Sequence, residues 1–338
     1  MITEAPAVLP VVRGGLLGLV LGDAVGAAGG LPPRGDLPAT PSGQLACFTV
    51  DGIIRAGVRE IQRGFSSAPS VIWRAYQRWA VGQGIEQWNH ASPDGWLAGV
   101  PELRVPRGSA DATVAALRGQ TMGTVGSPAT TSVEADVLVR SLPAALAGWW
   151  LSDVVGLTRT IAATTHATAA ADAAALGAAL VARLARGAGL AEAVRLAGQD
   201  RAAAHVASPV DGPLAAALDA AAARPADAGR LRELAPDGSA EGALAGAVYV
   251  AASFREPVRL LDALVFAAGA GGHVAATAGT LLGAARGVDA LPVDVLARAE
   301  LAEVMDALAQ DLVRQFTEHP STYGRGTVSD WGRRYPGG

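Results

Sequence analysis

The stretch FAAGAGGHVAATAGTLLGAARG (residues 266–287) places Gly269, Gly271 and Gly272 directly before His273 and a small-residue helix. Glycine turns that open helices present backbone N–H groups without intrahelical acceptors, and such ends close on anions or metals. This turn contains no carboxylate, serine or lysine. The N–H groups around Gly271 and Gly272 therefore suit a phosphate; the plainer reading is that glycine lets two helices approach closely. His273, at the helix start, is expected to stay neutral beside the positive end of the dipole. It is either a hydrogen-bonded structural histidine or a group that orients a ligand. Asp51 follows Thr49 in FTVDGIIRAGVREIQRG (residues 48–64). That spacing suits an acid or base beside a polar ligand group, and equally well the cap of its own helix. Asp23 stands alone in the apolar VVRGGLLGLVLGDAVGAAGG (residues 11–30), where a buried acid needs partners. Arg140 suits a phosphate, a carboxylate or an internal ion pair. For His166 a helix-end hydrogen bond competes with ligand contact.

These side chains must be carried by helices. Half of the residues are hydrophobic but only 5% are aromatic, so alanine, the best helix former, supplies much of the apolar content. Helical spacing is expected over 11–30, 48–64, 70–84, 153–187, 190–207, 213–223, 241–253, 257–268, 273–286 and 294–316. A Pro-rich loop over 31–43 lies between the first two. The chain loosens over 91–131, Pro143 breaks an apolar segment, and a Pro/Asp/Gly connection covers 224–241. No strand alternation and no repeat of fixed period is visible. The nearly uncharged run over 263–285 has membrane-spanning length, but the glycine turn divides it into two buried segments. Charge is nearly balanced, 27 basic against 31 acidic residues, with no basic stripe, so no nucleic-acid partner is expected. Cys47 is the only cysteine, which excludes an intrachain disulfide and a thiolate cluster. With no basic leader, the expected location is cytoplasmic, without a membrane partner.

Taken in order, several motifs resemble the ADP-ribosylglycohydrolase family. RGGLLGLVLGDAVGA is similar to the opening RGxxxGxxxGDAxGA, and AYQRWAVGQG to an aromatic helix ending in W…Q. RVPRGSADATVAALRG loosely resembles RxPGxxxxxAL, and VLVRSLPAALA resembles MRxxPxxL through Arg140 and Pro143. ATTHATAAADAAALGAAL is similar to a Thr-His helix through Thr165 and His166, with Thr168 in place of a second histidine. Ala278, Gly279, Leu281, Gly283, Ala284 and Gly287 carry a match to GGDxDTxxAxAGxLxGAxxG, with Pro292 beyond.

The resemblance implies an all-α fold, a single large orthogonal helical bundle over residues 1–318; the tail over 319–338 has no helical period and is expected to be extended or disordered. It also implies two divalent metals, magnesium or manganese, between a TDDT turn and the GGDxDT turn, helping to bind ADP-ribose. Here the departures fall on those turns. Thr49-Val50-Asp51-Gly52 keeps one acid of two, Ala270-Gly271-Gly272-His273 keeps neither, and Gly30 stands where a later catalytic acid is expected. No metal or other cofactor is therefore expected. The leading expectation is a pseudo-hydrolase that still binds ADP-ribose or a related nucleotide, with Asp23, Thr49, Gly271, Gly272, Arg140 and His166 as ligand-binding candidates. One alternative is a metal-independent glycosidic-bond hydrolase using Asp51 and His273 as catalytic residues. The other is a protein-interaction scaffold with a closed cleft, serving a protein partner.

Overall fold

The computed structural model describes residues 5–85, 93–119, 121–203, 211–320 and 330–337. Among these the chain is all-α, with no strand beyond three isolated bridges. In chain order the helices are α1 (Ala5–Ala27), α2 (Pro41–Arg63), α3 (Ala68–Gly82), α4 (Asp111–Leu117), α5 (Asp136–Ser141) and α6 (Val154–Ala163). They continue as α7 (Thr168–Ala185), α8 (Leu190–Ala203), α9 (Asp211–Ala223), α10 (Ala228–Leu234) and α11 (Ala240–Ser253). The last are α12 (Leu260–Ala268), α13 (Gly272–Arg286), α14 (Val293–Leu296), α15 (Ala302–Thr317) and α16 (Asp330–Arg334).

The centre of the bundle is an antiparallel pair, α1 against α13, flanked by α11, α12 and α15. Gly14, Gly18, Gly22 and Gly26 recur every fourth residue, so they form one stripe on α1. That stripe faces Gly283, Gly279, Ala275 and Gly272 in turn. A Cβ added at any of the four α1 glycines would fall under 3.0 Å from backbone atoms of α13. The two main chains are therefore in direct contact, and Leu16, Leu19, Leu21 and Val25 fill the space on the other sides of α1. Two helices, Val8–Ala27 and Thr168–Ala185, are long and apolar enough to cross a membrane, and most of each is buried inside the bundle.

Several sequence expectations change. The second helix begins at Pro41, not near residue 48. Thr40 caps it, accepting from Gly43 N, and Pro41 occupies the first turn, where its missing N–H costs nothing. Thr49 and Asp51 consequently lie in mid-helix and cap nothing. The run over 153–187 breaks between α6 and α7, around His166, and the run over 294–316 breaks between α14 and α15. The connection over 224–241 contains α10, capped by Asp227. The C-terminal tail, expected to be extended or disordered, is partly helical: α16 buries Trp331, and Tyr335 beyond it is also buried. Trp331 Nε1 donates to Gln315 Oε1 at 2.8 Å, and Tyr335 Oη donates to Asp311 Oδ2 at 2.5 Å. Residues 321–329 of that tail lie outside the described residues.

Because the α1 glycines touch main chain, even one methyl there must push the central pair apart. Gly18→Ala is expected to cost about 3 kcal/mol or more in urea unfolding. Gly126→Ala, where a Cβ meets nothing within 4 Å, is expected to be nearly neutral.

Candidate functional site

Three helix ends meet at one place: the last turn of α1 and the first turns of α2 and α13. Asp23, on α1, is buried and accepts twice from Thr40, from its N at 2.9 Å and its Oγ1 at 2.6 Å. Burial pushes the Asp23 carboxyl up from its ordinary value, while the Thr40 bonds and the nearby His273 pull it partly back. Gly43, in the first turn of α2, lies against the same carboxylate and has no room for a side chain. On the opposite side Gly272 packs on the backbone of Gly26. Gly271, ahead of it, has φ 118°, a conformation that favours glycine, and faces solvent. His273 follows, half-buried. The first N–H groups of α13 therefore open beside an imidazole, with no acid in the turn.

A separate buried polar chain lies in the core, its Asp136 end within electrostatic reach of His273. Tyr76 Oη and Thr49 Oγ1 lie 2.7 Å apart, and Thr49 Oγ1 donates to the Arg140 carbonyl at 2.6 Å. The Arg140 guanidinium is fully buried, sits 4.7 Å above the Tyr76 ring and donates through Nη2 to Thr165 Oγ1. Its Nε and Nη1 have no hydrogen-bond partner among the described residues. Thr165 Oγ1 is 2.7 Å from His166 Nδ1, and His166 Nε2 is 2.8 Å from Asp136 Oδ1. Burial alone would raise the Asp136 carboxyl. The His166 hydrogen bond, with the charges of His166, Arg140 and His273, reverses this and holds it below the ordinary carboxylate range. His273 thus acts electrostatically on both Asp23 and Asp136.

The candidates of the sequence divide accordingly. Asp23, Gly271, Gly272 and His273 meet at the helix ends, and Thr49, Arg140 and His166 belong to the buried polar chain. Asp51 belongs to neither. It is fully buried between Arg55 Nε at 2.8 Å and Arg78 Nη2 at 3.0 Å, and Arg55 also holds Asp94 at 2.8 Å. From Thr40 it is eleven positions along α2, roughly 16 Å at 1.5 Å per residue. Asp51 is therefore held by two guanidinium groups in the middle of α2, away from the helix start at Thr40. Thr40 and Asp136 escaped the sequence reading. Asp136 lies four positions before Arg140 on one helix face, a spacing that offered a signal. Thr40 was hidden in the Pro-rich stretch, where Thr-Pro-Ser-Gly reads as a turn.

Residues 5–322 match the family ADP-ribosylglycohydrolase, nearly the whole chain. The chain belongs to the ADP-ribosylglycohydrolase family. Among solved structures, one described as an ADP-ribosylglycohydrolase-related protein complex is similar, with 24% identity and a TM-score of 0.59. The match covers 91% of this chain and 99% of that one, and it speaks for the fold. No curated protein gives a significant match.

Within the ADP-ribosylglycohydrolase family the two metals belong to a pair of helix starts, and here the residues at those starts do not fit them. The α2 start that faces Asp23 is Thr40-Pro41-Ser42-Gly43, not Thr49-Val50-Asp51-Gly52, so the one acid apparently retained is also absent from the turn. The α13 start contributes only glycine and His273. Two adjacent divalent ions need several carboxylates to offset their repulsion. Of the nearby acids, Asp23 is committed to Thr40 and Asp136 to His166. Glu134, Asp136 and His166 do bring ligand atoms within 4.8 Å of one another, a grouping for one ion rather than two.

The lowered Asp136 carboxyl fixes a sign. Its stabilising contribution is complete above the unfolded value of about 4 and is lost as pH falls through the lower folded value. Asp136→Asn should therefore cost about 2 kcal/mol at neutral pH, with the gap to wild type closing below about pH 4. Urea unfolding across that range measures it.

Proposed function

We propose that this member of the ADP-ribosylglycohydrolase family binds ADP-ribose or a related nucleotide without the metal pair and does not hydrolyse it by the family's dimetal route. The carrying observation is the meeting of two acid-free helix starts beside His273. In a metal site, carboxylates and cations largely cancel. Remove both and what remains is the positive end of the α13 dipole with exposed N–H groups, a setting that favours phosphate oxygens. Asp23 opposes this less than a free carboxylate would, because both of its oxygens accept hydrogen bonds from Thr40. The metal-independent hydrolase reading needs Asp51 free to act as acid or base, and Asp51 is instead buried between two guanidinium groups.

Calorimetric titration with ADP-ribose, once with magnesium and once with EDTA, tests the reading, with chromatography for ADP-ribose released from a modified arginine or serine substrate. Heat in both conditions and no metal-dependent release are expected. Binding that requires magnesium, or metal-dependent release, overturns it. No heat in either condition favours the scaffold with a closed cleft. Gly272→Asp gives a sharper check, because a Cβ there meets its nearest neighbour at an ordinary 3.5 Å. The new carboxylate brings an unneutralised negative charge to the first turn of α13, and ADP-ribose affinity should fall about tenfold or more.

A further inference from the structure

A cleft of about 1250 Å³ lies between the early part of α1, the loop before α2, the turns over 96–102 and the segment over 288–306. Its lining charges are five acids and three arginines. Two of the arginines are spent on acids in the same walls: Arg13 bonds Asp306 at 2.6 Å, and Arg107 bonds Glu300. The third, Arg298, donates to the carbonyls of Gly35 at 2.7 Å and Pro32 at 2.8 Å, and so serves the loop. Asp36, Glu102 and Glu303 are left lining the cleft with no cationic partner among the described residues. Their like charges share one concave, low-dielectric surface, which concentrates negative potential.

The rest of the lining is apolar. Leu17, Leu291, Val304 and the Trp96 ring contribute to it, and Val293 is left 77% exposed. The Trp96 ring is fixed from behind by the Arg334 guanidinium, 4.0 Å from its centre, so the C-terminal segment holds one wall. An apolar floor under unpaired carboxylates matches a chain that carries both guanidinium groups and apolar side chains. The volume also exceeds the roughly 300–1,000 Å³ of a typical small-molecule pocket.

We infer that this cleft docks a basic polypeptide segment of a partner protein, with arginines meeting Asp36, Glu102 and Glu303 and apolar side chains resting on the floor. Fluorescence anisotropy of a labelled decapeptide alternating arginine and leucine tests this on the full chain. Binding that weakens as salt is raised is expected. Combining Asp36→Asn, Glu102→Gln and Glu303→Gln should weaken it about tenfold or more. The three acids are exposed or half-buried, so an unchanged melting temperature will show that the variant is folded. Undiminished binding to that variant, or equal binding of a peptide with glutamate for arginine, overturns the inference. A peptide with serine for every leucine that binds equally well removes the role of the floor and leaves a small polycation as occupant. Self-association of the protein that the triple variant abolishes would replace the partner by a second copy, and would overturn the inference as well.

Discussion

Direct main-chain contact between α1 and α13 is the constraint on which the rest depends. Helices ordinarily pack with axes 8–10 Å apart, held off by side chains. Here the glycine stripe of α1 removes that spacer along four turns. The register between the helices is then fixed by backbone shape rather than by interchangeable side chains. That register carries Asp23, near one end of α1, to the start of α13. With Asp23 placed, Thr40 follows through two hydrogen bonds, and α2 starts where Thr40 is held. The convergence of helix starts is thus a consequence of the central pair and needs no local device of its own.

Around this place the chain keeps its charges in two separate groups. Arg140, His166 and Asp136 form one, linked through Thr165; Asp51, Arg55, Arg78 and Asp94 form the other. Both are largely enclosed, where an unpaired charge is expensive; the second answers that cost with direct ion pairs, while in the first Asp136 pairs with His166 and Arg140 relies on Thr165 and the Tyr76 ring. The first lies within electrostatic reach of His273. The second is tied to the C-terminal segment, where Arg55 donates to the Pro336 carbonyl and Arg59 to that of Gly337. Its work is to hold α2, α3 and the end of the chain together. An acid in a suggestive motif can therefore be a structural tie.

What could be read in the sequence was whatever local physics decides. The break between α12 and α13 follows from Gly269, Gly271 and Gly272, and the helical class follows from alanine content and apolar spacing. The family was legible because its motifs recur in order. The exact turns were not. Helical periodicity in α2 is plainest after Leu45, so the segment from Thr40 to Gln44 looked like loop, and Thr49 with Asp51 mimicked a cap. The fate of Asp51 depends on Arg78, 27 positions away, and the burial of Tyr335 on Asp311. Such pairings belong to the tertiary fold and leave no periodic trace in the chain.

The α1–α13 pair also sets a timetable. Synthesis runs from the N-terminus, so roughly 250 residues must be added after α1 before α13 exists; at about 5–20 residues per second that is a wait of roughly 10–50 s. Throughout it, a helix apolar on nearly every face has no partner for its glycine stripe. The central pair cannot form until that interval is over, and it is during the interval that this chain depends most on being shielded from its neighbours.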